Sequence, residues 1–186
     1  QPPREVALKI LHAGRAFDRA LQHRFEREAR AASALTSEHT IRIYDYGASD
    51  DGLAFLAMEA LHGVDLESHV NTWGPVAPRR AIHFARQISL SLLEAHRRGM
   101  VHGDLKPANL FIDDRRGRED HVKVLDWGIA RDFVWRDHDV THEGLSFGTP
   151  SVMAPEAFTG ERSTRTDVYA FGASLYWMLT GRYPIT

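Results

Sequence analysis

The chain of 186 residues contains no cysteine, which excludes disulfides, thiolate nucleophiles and cysteine-bound zinc. It has no apolar run near the roughly 18 residues a membrane-spanning helix needs, and no signal peptide opens it. Charge of one sign is also missing: 23 basic residues face 25 acidic ones, for a net charge of −2. Neither nucleic acid nor an anionic membrane is therefore indicated as the main partner. The chain starts at Gln1, which suggests trimming from a longer protein, and the default expectation is a cytoplasmic location. Lysine is scarce as well. Of the 23 basic residues only Lys9, Lys106 and Lys123 are lysines, and the rest are arginine. Arginine replaces lysine on most solvated surfaces but not where a compact ammonium meets a phosphate or a buried carboxylate. Positions 9 and 106 therefore draw attention.

What is present is a 43% hydrophobic composition, enough for a packed core of one or two small domains. Residues 5–11 alternate as a strand. Residues 17–35 follow a helical period, with Leu21, Phe25, Ala32 and Leu35 on one stripe and Glu28 between them. Two strands, 40–47 and 53–59, are joined by a turn at 49–52, and 60–66 read as a short connector. A long amphipathic helix is predicted over 78–98, using Ile82, Ala85, Ile88, Leu92 and His96, with Gly99 as its stop. Short strands at 109–112 and 122–126 flank a charged turn. A loop-rich segment covers 127–157, and an apolar helix runs from Thr166 to Gly181. The fold class expected is α+β with two lobes: 1–58 sheet plus helix, 59–63 a hinge, and 64–186 mainly helical. A ligand cleft belongs between them.

Phosphoryl transfer asks a protein for a cation on the phosphates, oxygen ligands for a metal, an acceptor for the hydroxyl proton, and geometry. The segment HGDLKPANL (102–110) supplies several of these. Asp104 can accept the proton, Lys106 can steady the phosphoryl group, and Asn109 can ligate Mg2+ through its amide oxygen. Further on, LDWG sets Asp126 at the end of a strand with Gly128 behind it, where a carboxylate can bridge Mg2+ to phosphates. Lys9 alone is an ordinary strand lysine. Glu28 on the inward helix stripe changes that, because a Lys9–Glu28 pair satisfies both charges and holds the lysine towards ATP. The 11 histidines show no ligand spacing, so no transition-metal site is expected.

These motifs, in this order, resemble the eukaryotic-like protein kinase superfamily, including its bacterial Ser/Thr members. VALKI matches the strand lysine motif, Glu28 the helix glutamate, HGDLKPAN the catalytic loop, and DWG the usual DFG. GTPSVMAPE (148–156) matches the end of the activation segment, and DVYAFG (167–172) the helix after it. The resemblance covers essentially the whole chain. It implies transfer of the γ-phosphoryl group of ATP, with Mg2+, to Ser or Thr hydroxyls of protein substrates. No nucleic acid or membrane contact is implied within this stretch. Met58 would sit beside the adenine pocket, Glu59 and Leu61 would offer backbone groups to the adenine edge, and Ala7 and Leu110 would sandwich the ring. Ordinary core packing explains Ala7 and Leu110 equally well. By the same resemblance His102 packs beneath Trp127, Asp167 binds the catalytic-loop backbone, and Thr149 contacts Asp104 and Lys106. Lys106 and Thr149 match the Ser/Thr pattern and not the tyrosine one.

The pattern is broken in places. Gly103 stands where an arginine usually precedes the catalytic Asp and binds a phosphate on the activation loop. Thr141 and Ser146 thus lose an electrostatic partner, and activity is expected to depend little on their phosphorylation. No G-x-G-x-x-G loop precedes Lys9, and the arginine that pairs with Glu156 in the family would lie beyond Thr186. The first strands and last helices are therefore expected outside the chain, and the isolated segment is expected to bind ATP poorly. Bacterial relatives often carry a membrane span after the kinase domain. Two other functions stay open. HGD followed by Asn also occurs in small-molecule phosphotransferases of the aminoglycoside and choline kinase kind, although these lack GTPSVMAPE and DVYAFG. A truncated kinase fold serving as a non-catalytic scaffold is the other.

Overall fold

The computed structural model describes residues 4–11, 19–49, 53–114, 120–128 and 150–184. Its N-terminal part is a three-stranded antiparallel sheet of β1 (Val6–Leu11), β2 (Ile43–Ala48) and β3 (Ala54–Glu59), in the order β1-β3-β2. Period-two alternation sends Val6, Leu8 and Ile10 to one face, where they remain exposed. Half-buried Lys9 points to the other face, opposite Leu56 of β3. The helix α1 (Arg19–Ser33) lies between β1 and β2 in the chain and buries Phe25, Ala29 and Ala32.

The strand expected from Thr40 begins only at Ile43. The residues before it run along a different strand, β6 (His121–Val124). Ile41 donates to Val124 O at 3.0 Å, Val124 donates to His39 O at 2.8 Å, and Thr40 forms a parallel bridge with Val124. Backbone groups committed to β6 cannot also pair with β3.

The C-terminal part contains the small sheet β4 (Gly63–Asp65), β5 (Leu110–Asp113) and β6, in that order, with α2 (Leu66–Trp73), α3 (Pro78–Arg97) and α4 (Thr164–Thr180). The expected connector 60–66 thus holds a strand. Gly63 makes it possible: at φ 142° it approaches β5 so closely that a Cβ would lie 2.0 Å from Ile112 O. Asp65 then caps α2 by accepting from Ser68 N at 2.8 Å.

The buried face of α3 is also rotated from the expected stripe. Ile88 and Leu92 are buried as expected, but Ile82 is 71% exposed, and Ala81, Phe84 and Ala95 are buried where Ile82, Ala85 and His96 were expected. Two polar residues account for this. Gln87 accepts from Val122 N at 2.8 Å and donates to Asp120 O at 2.7 Å, and Ser91 bonds Thr40 Oγ1 at 2.6 Å. The inner face of α3 must pair the backbone of Asp120 and Val122 and the hydroxyl of Thr40, so it is not purely apolar. Leu66, Phe84, Ile88, Leu110, Val122, Val124 and Met178 form the core between helices and sheet. The result is an α+β protein, sheet-rich at its N-terminal end and helical towards its C-terminal end. Among the described residues no helix is long and apolar enough to cross a membrane.

Candidate active site

The loop after α3 is held from below by one carboxylate. Asp167, in the first turn of α4 and 1% exposed, accepts from His102 N and Gly103 N, each at 2.8 Å. Gly103 takes φ 72°, a left-handed conformation that favours glycine. Asp167 also receives His96 Nε2 at 2.8 Å, a contact the sequence reading missed. His102 is buried with its ring 4.9 Å from that of Trp127. Its Nε2 donates to Leu125 O at 2.7 Å, while Nδ1 faces Asp104 N at 3.3 Å. A carbonyl can only accept, so Nε2 carries the proton and the ring is neutral. Burial pushes its pKa below the ordinary imidazole value and outweighs the opposing pull of Asp167.

Above this support the polar side chains form a continuous series. Lys106 Nζ lies 3.2 Å from Asp104 Oδ2. Asn109 closes a short 3-10 turn (Pro107–Asn109) and donates through Nδ2 to Asp104 O at 2.8 Å. Its carbonyl accepts from Leu125 N at 2.9 Å, so the turn is tied to the residue before Asp126. Asp126 adopts φ 52°, a conformation Asp tolerates better than most side chains, and its carbonyl accepts from Gly128 N at 2.8 Å. Lys9 Nζ then reaches across from the N-terminal sheet to Asp126 Oδ1 at 2.7 Å. These two side chains line a small cleft with Ile41, Ile43, Leu56, Met58 and Trp127.

The ammonium of Lys9 is thus held by Asp126. Glu28, the partner the sequence suggested, is half-buried on α1. Ala7 is exposed, Leu110 is buried at 1%, and Leu61 is half-buried. Glu59 carries an unforeseen bond: its Oε1 meets Lys123 Nζ at 2.6 Å and Arg42 N at 2.8 Å, while its own amide donates to Arg42 O at 2.9 Å. The scarcity of lysine that marked positions 9 and 106 applied equally to 123. Glu156 is half-buried in the 3-10 turn Pro155–Thr159. Thr141, Ser146 and Thr149 lie outside the described residues.

A family profile described as protein kinase domain matches residues 2–186. Serine/threonine-protein kinase pkn3 of Myxococcus xanthus is 38% identical over 182 residues, covering 96% of this chain and 33% of that protein. PknB of Mycolicibacterium smegmatis is 39% identical over 97% of this chain and 29% of its own length. PrkC of Bacillus subtilis is 36% identical, over 97% and 27% respectively. The chain therefore spans about a third or less of these relatives. The crystal structure of Rad53 1-466 in complex with AMP-PNP superimposes with a TM-score of 0.77 at 25% identity, covering 97% of this chain and 42% of that one. With a profile match along nearly its whole length, the chain belongs to the protein kinase domain family.

Proposed function

We propose that the chain is the greater part of a Ser/Thr protein kinase catalytic domain that moves the γ-phosphoryl group of ATP to Ser or Thr hydroxyls of proteins. The observation that carries this reading is the unbroken series Lys9–Asp126, Leu125–Asn109, Asn109–Asp104 and Asp104–Lys106. It gathers two ammonium groups, two carboxylates and an amide where the N-terminal sheet meets the C-terminal half. In this reading residues 1–58 and 64–186 form two lobes about a hinge at 59–63, and Met58, Glu59 and Leu61 face the adenine.

The donor set suits Mg2+, which prefers hard oxygen ligands and keeps several waters. Asn109 uses its Nδ2 on Asp104 O, so its Oδ1 is the atom to hold the metal together with the Asp126 carboxylate. Bound there, Mg2+ would neutralise charge building on the phosphate oxygens. The remaining work falls to the chain's own groups. Lys9 turns from Asp126 to the α- and β-phosphates, with Glu28 as its proposed partner. The acceptor hydroxyl oxygen bonds to the γ-phosphorus as the bond to the β–γ bridging oxygen breaks, and the hydroxyl proton passes to Asp104. Lys106, already beside Asp104, balances the charge of the transferring group. Thr149 and Glu156 would order the segment on which the protein substrate docks.

The test is radiolabelled ATP with a generic protein substrate, comparing the full-length protein with Asp104→Asn. Losing a positioned general base should lower protein labelling by about a hundredfold or more. Equal labelling by the variant would overturn the reading. Label appearing only on a small molecule would favour an aminoglycoside-type phosphotransferase instead.

A further inference from the structure

The last turn of α3 touches two parts of the molecule at once. Glu94 and Arg98, one turn apart and so on one face, form an ion pair at 2.9 Å. Both oxygens of Glu94 are engaged by the segment just after α1. Thr36 N lies at 2.9 and 3.0 Å, Thr36 Oγ1 at 2.8 Å and Ser37 N at 2.7 Å. Arg98 NH1 donates to Ala34 O at 2.6 Å. The end of a helix exposes unpaired carbonyls with a partial negative charge, so a guanidinium suits Ala34. The amides just beyond it suit a carboxylate. The Glu94 side chain is only 18% exposed, which makes this clasp more than a solvated ion pair.

His96 projects from the other side of the same turn to Asp167, the residue that holds the amides of His102 and Gly103. One helical turn therefore fixes the end of α1 on one side and the support of the catalytic loop on the other. Glu28 lies six residues before Ala34, about 9 Å along α1. A tilt of α1 about its end shifts Glu28, and misplacement of a catalytic constellation by about 1 Å is enough to depress turnover strongly.

We infer that Glu94 is a positioning residue: it clamps the end of α1 to α3 and so sets Glu28 relative to Lys9 and the catalytic loop. The inference rests on the nucleotide-binding part of the phosphoryl-transfer reading, because only with ATP beside Lys9 does Glu28 have a task. A purely structural Glu94 would affect stability without changing how the folded protein handles nucleotide.

The experiment uses the full-length protein and its Glu94→Ala, Glu94→Gln and Arg98→Ala variants. It measures amide exchange at Thr36 and Ser37, the Kd of a non-hydrolysable ATP analogue with Mg2+, and KM for ATP and for a protein substrate. Glu94→Ala should exchange faster at both amides, bind the analogue about tenfold more weakly and raise KM for ATP to match. KM for the protein substrate should hold. Glu94→Gln keeps one acceptor oxygen and should fall between. Faster exchange with unchanged nucleotide binding overturns the inference. If Glu94→Ala does not fold, Arg98→Ala carries the test: about threefold weaker binding supports the clasp, and no change overturns it. Wild-type protein that binds the analogue but labels no substrate defeats the phosphoryl-transfer reading alone. Wild-type protein that binds no nucleotide defeats both.

Discussion

Lys123 of β6 and Glu59 at the end of β3 form an ion pair of 2.6 Å with side chains only 11% and 13% exposed. Such a pair has lost most of its water, so its energy depends on both partners being present. Glu59 also accepts from Arg42 N, which binds the start of the hairpin into the same contact.

Lys123→Met removes the counter-charge of a nearly buried carboxylate. We expect a loss of about 3 kcal/mol in unfolding free energy by urea titration. Adding Glu59→Leu should recover at least half of it, since the apolar pair needs no desolvated charge. A loss under about 1 kcal/mol for Lys123→Met would place the pair with ordinary surface bridges.

Lys9→Arg keeps the positive charge but exchanges a compact ammonium for a broad planar fork. Lys9 meets a single Asp126 oxygen at 2.7 Å inside a narrow cleft. Steady-state kinetics should show kcat/KM for ATP down about a hundredfold. Near-normal kinetics would mean that charge alone suffices at this position.

His39 and His102 are both held below the ordinary imidazole value, chiefly by burial. A base whose folded pKa is lowered binds fewer protons than its unfolded form. Its stability contribution is complete above about pH 6.5 and declines as pH falls towards the folded values. Glu94 behaves differently. Burial alone would raise it, but the Thr36 and Ser37 amides, the Thr36 hydroxyl and Arg98 together hold it below the ordinary carboxylate value. Its contribution is present at neutral pH and is lost only below about pH 4.5, as pH falls through its lowered value. The melting temperature should therefore fall between about pH 7.5 and 5.5 through the histidines alone. A flat profile there contradicts this assignment.

Gly103 leaves no side chain beside Asp104 to receive a phosphate. Thr141→Ala combined with Ser146→Ala should leave turnover within about threefold of wild type in the labelling assay. A hundredfold fall would show that another cation serves the phosphorylated segment.

Much of the candidate site could be read in the sequence because its residues are near neighbours there. Asp104, Lys106 and Asn109 share one loop, and Asp126 follows two residues after β6, the strand that returns to it. The hairpin, α1, α3 and α4 were legible within a few residues, since long periodic segments carry strong signals. What escaped depended on distant pairs. Nothing local tells that Gly63 must pass under Ile112, that Gln87 and Ser91 rotate the face of α3, or that Lys123 reaches Glu59. The Lys9–Asp126 contact shows the same difficulty: nothing local tells that a lysine in β1 meets a carboxylate 117 residues further on.

The bridging of Thr40 and its neighbours to β6 has a mechanical consequence. Among the described residues the N-terminal sheet is joined to the rest of the molecule by the covalent crossing after β3, by this short seam, and by the side-chain pairs Lys9–Asp126 and Glu59–Lys123. Backbone bonds at the seam and charged pairs beside it hold the register of the sheet against β6. Any sideways slip of the sheet over the cleft of Lys9 and Asp126 would have to break these bonds first.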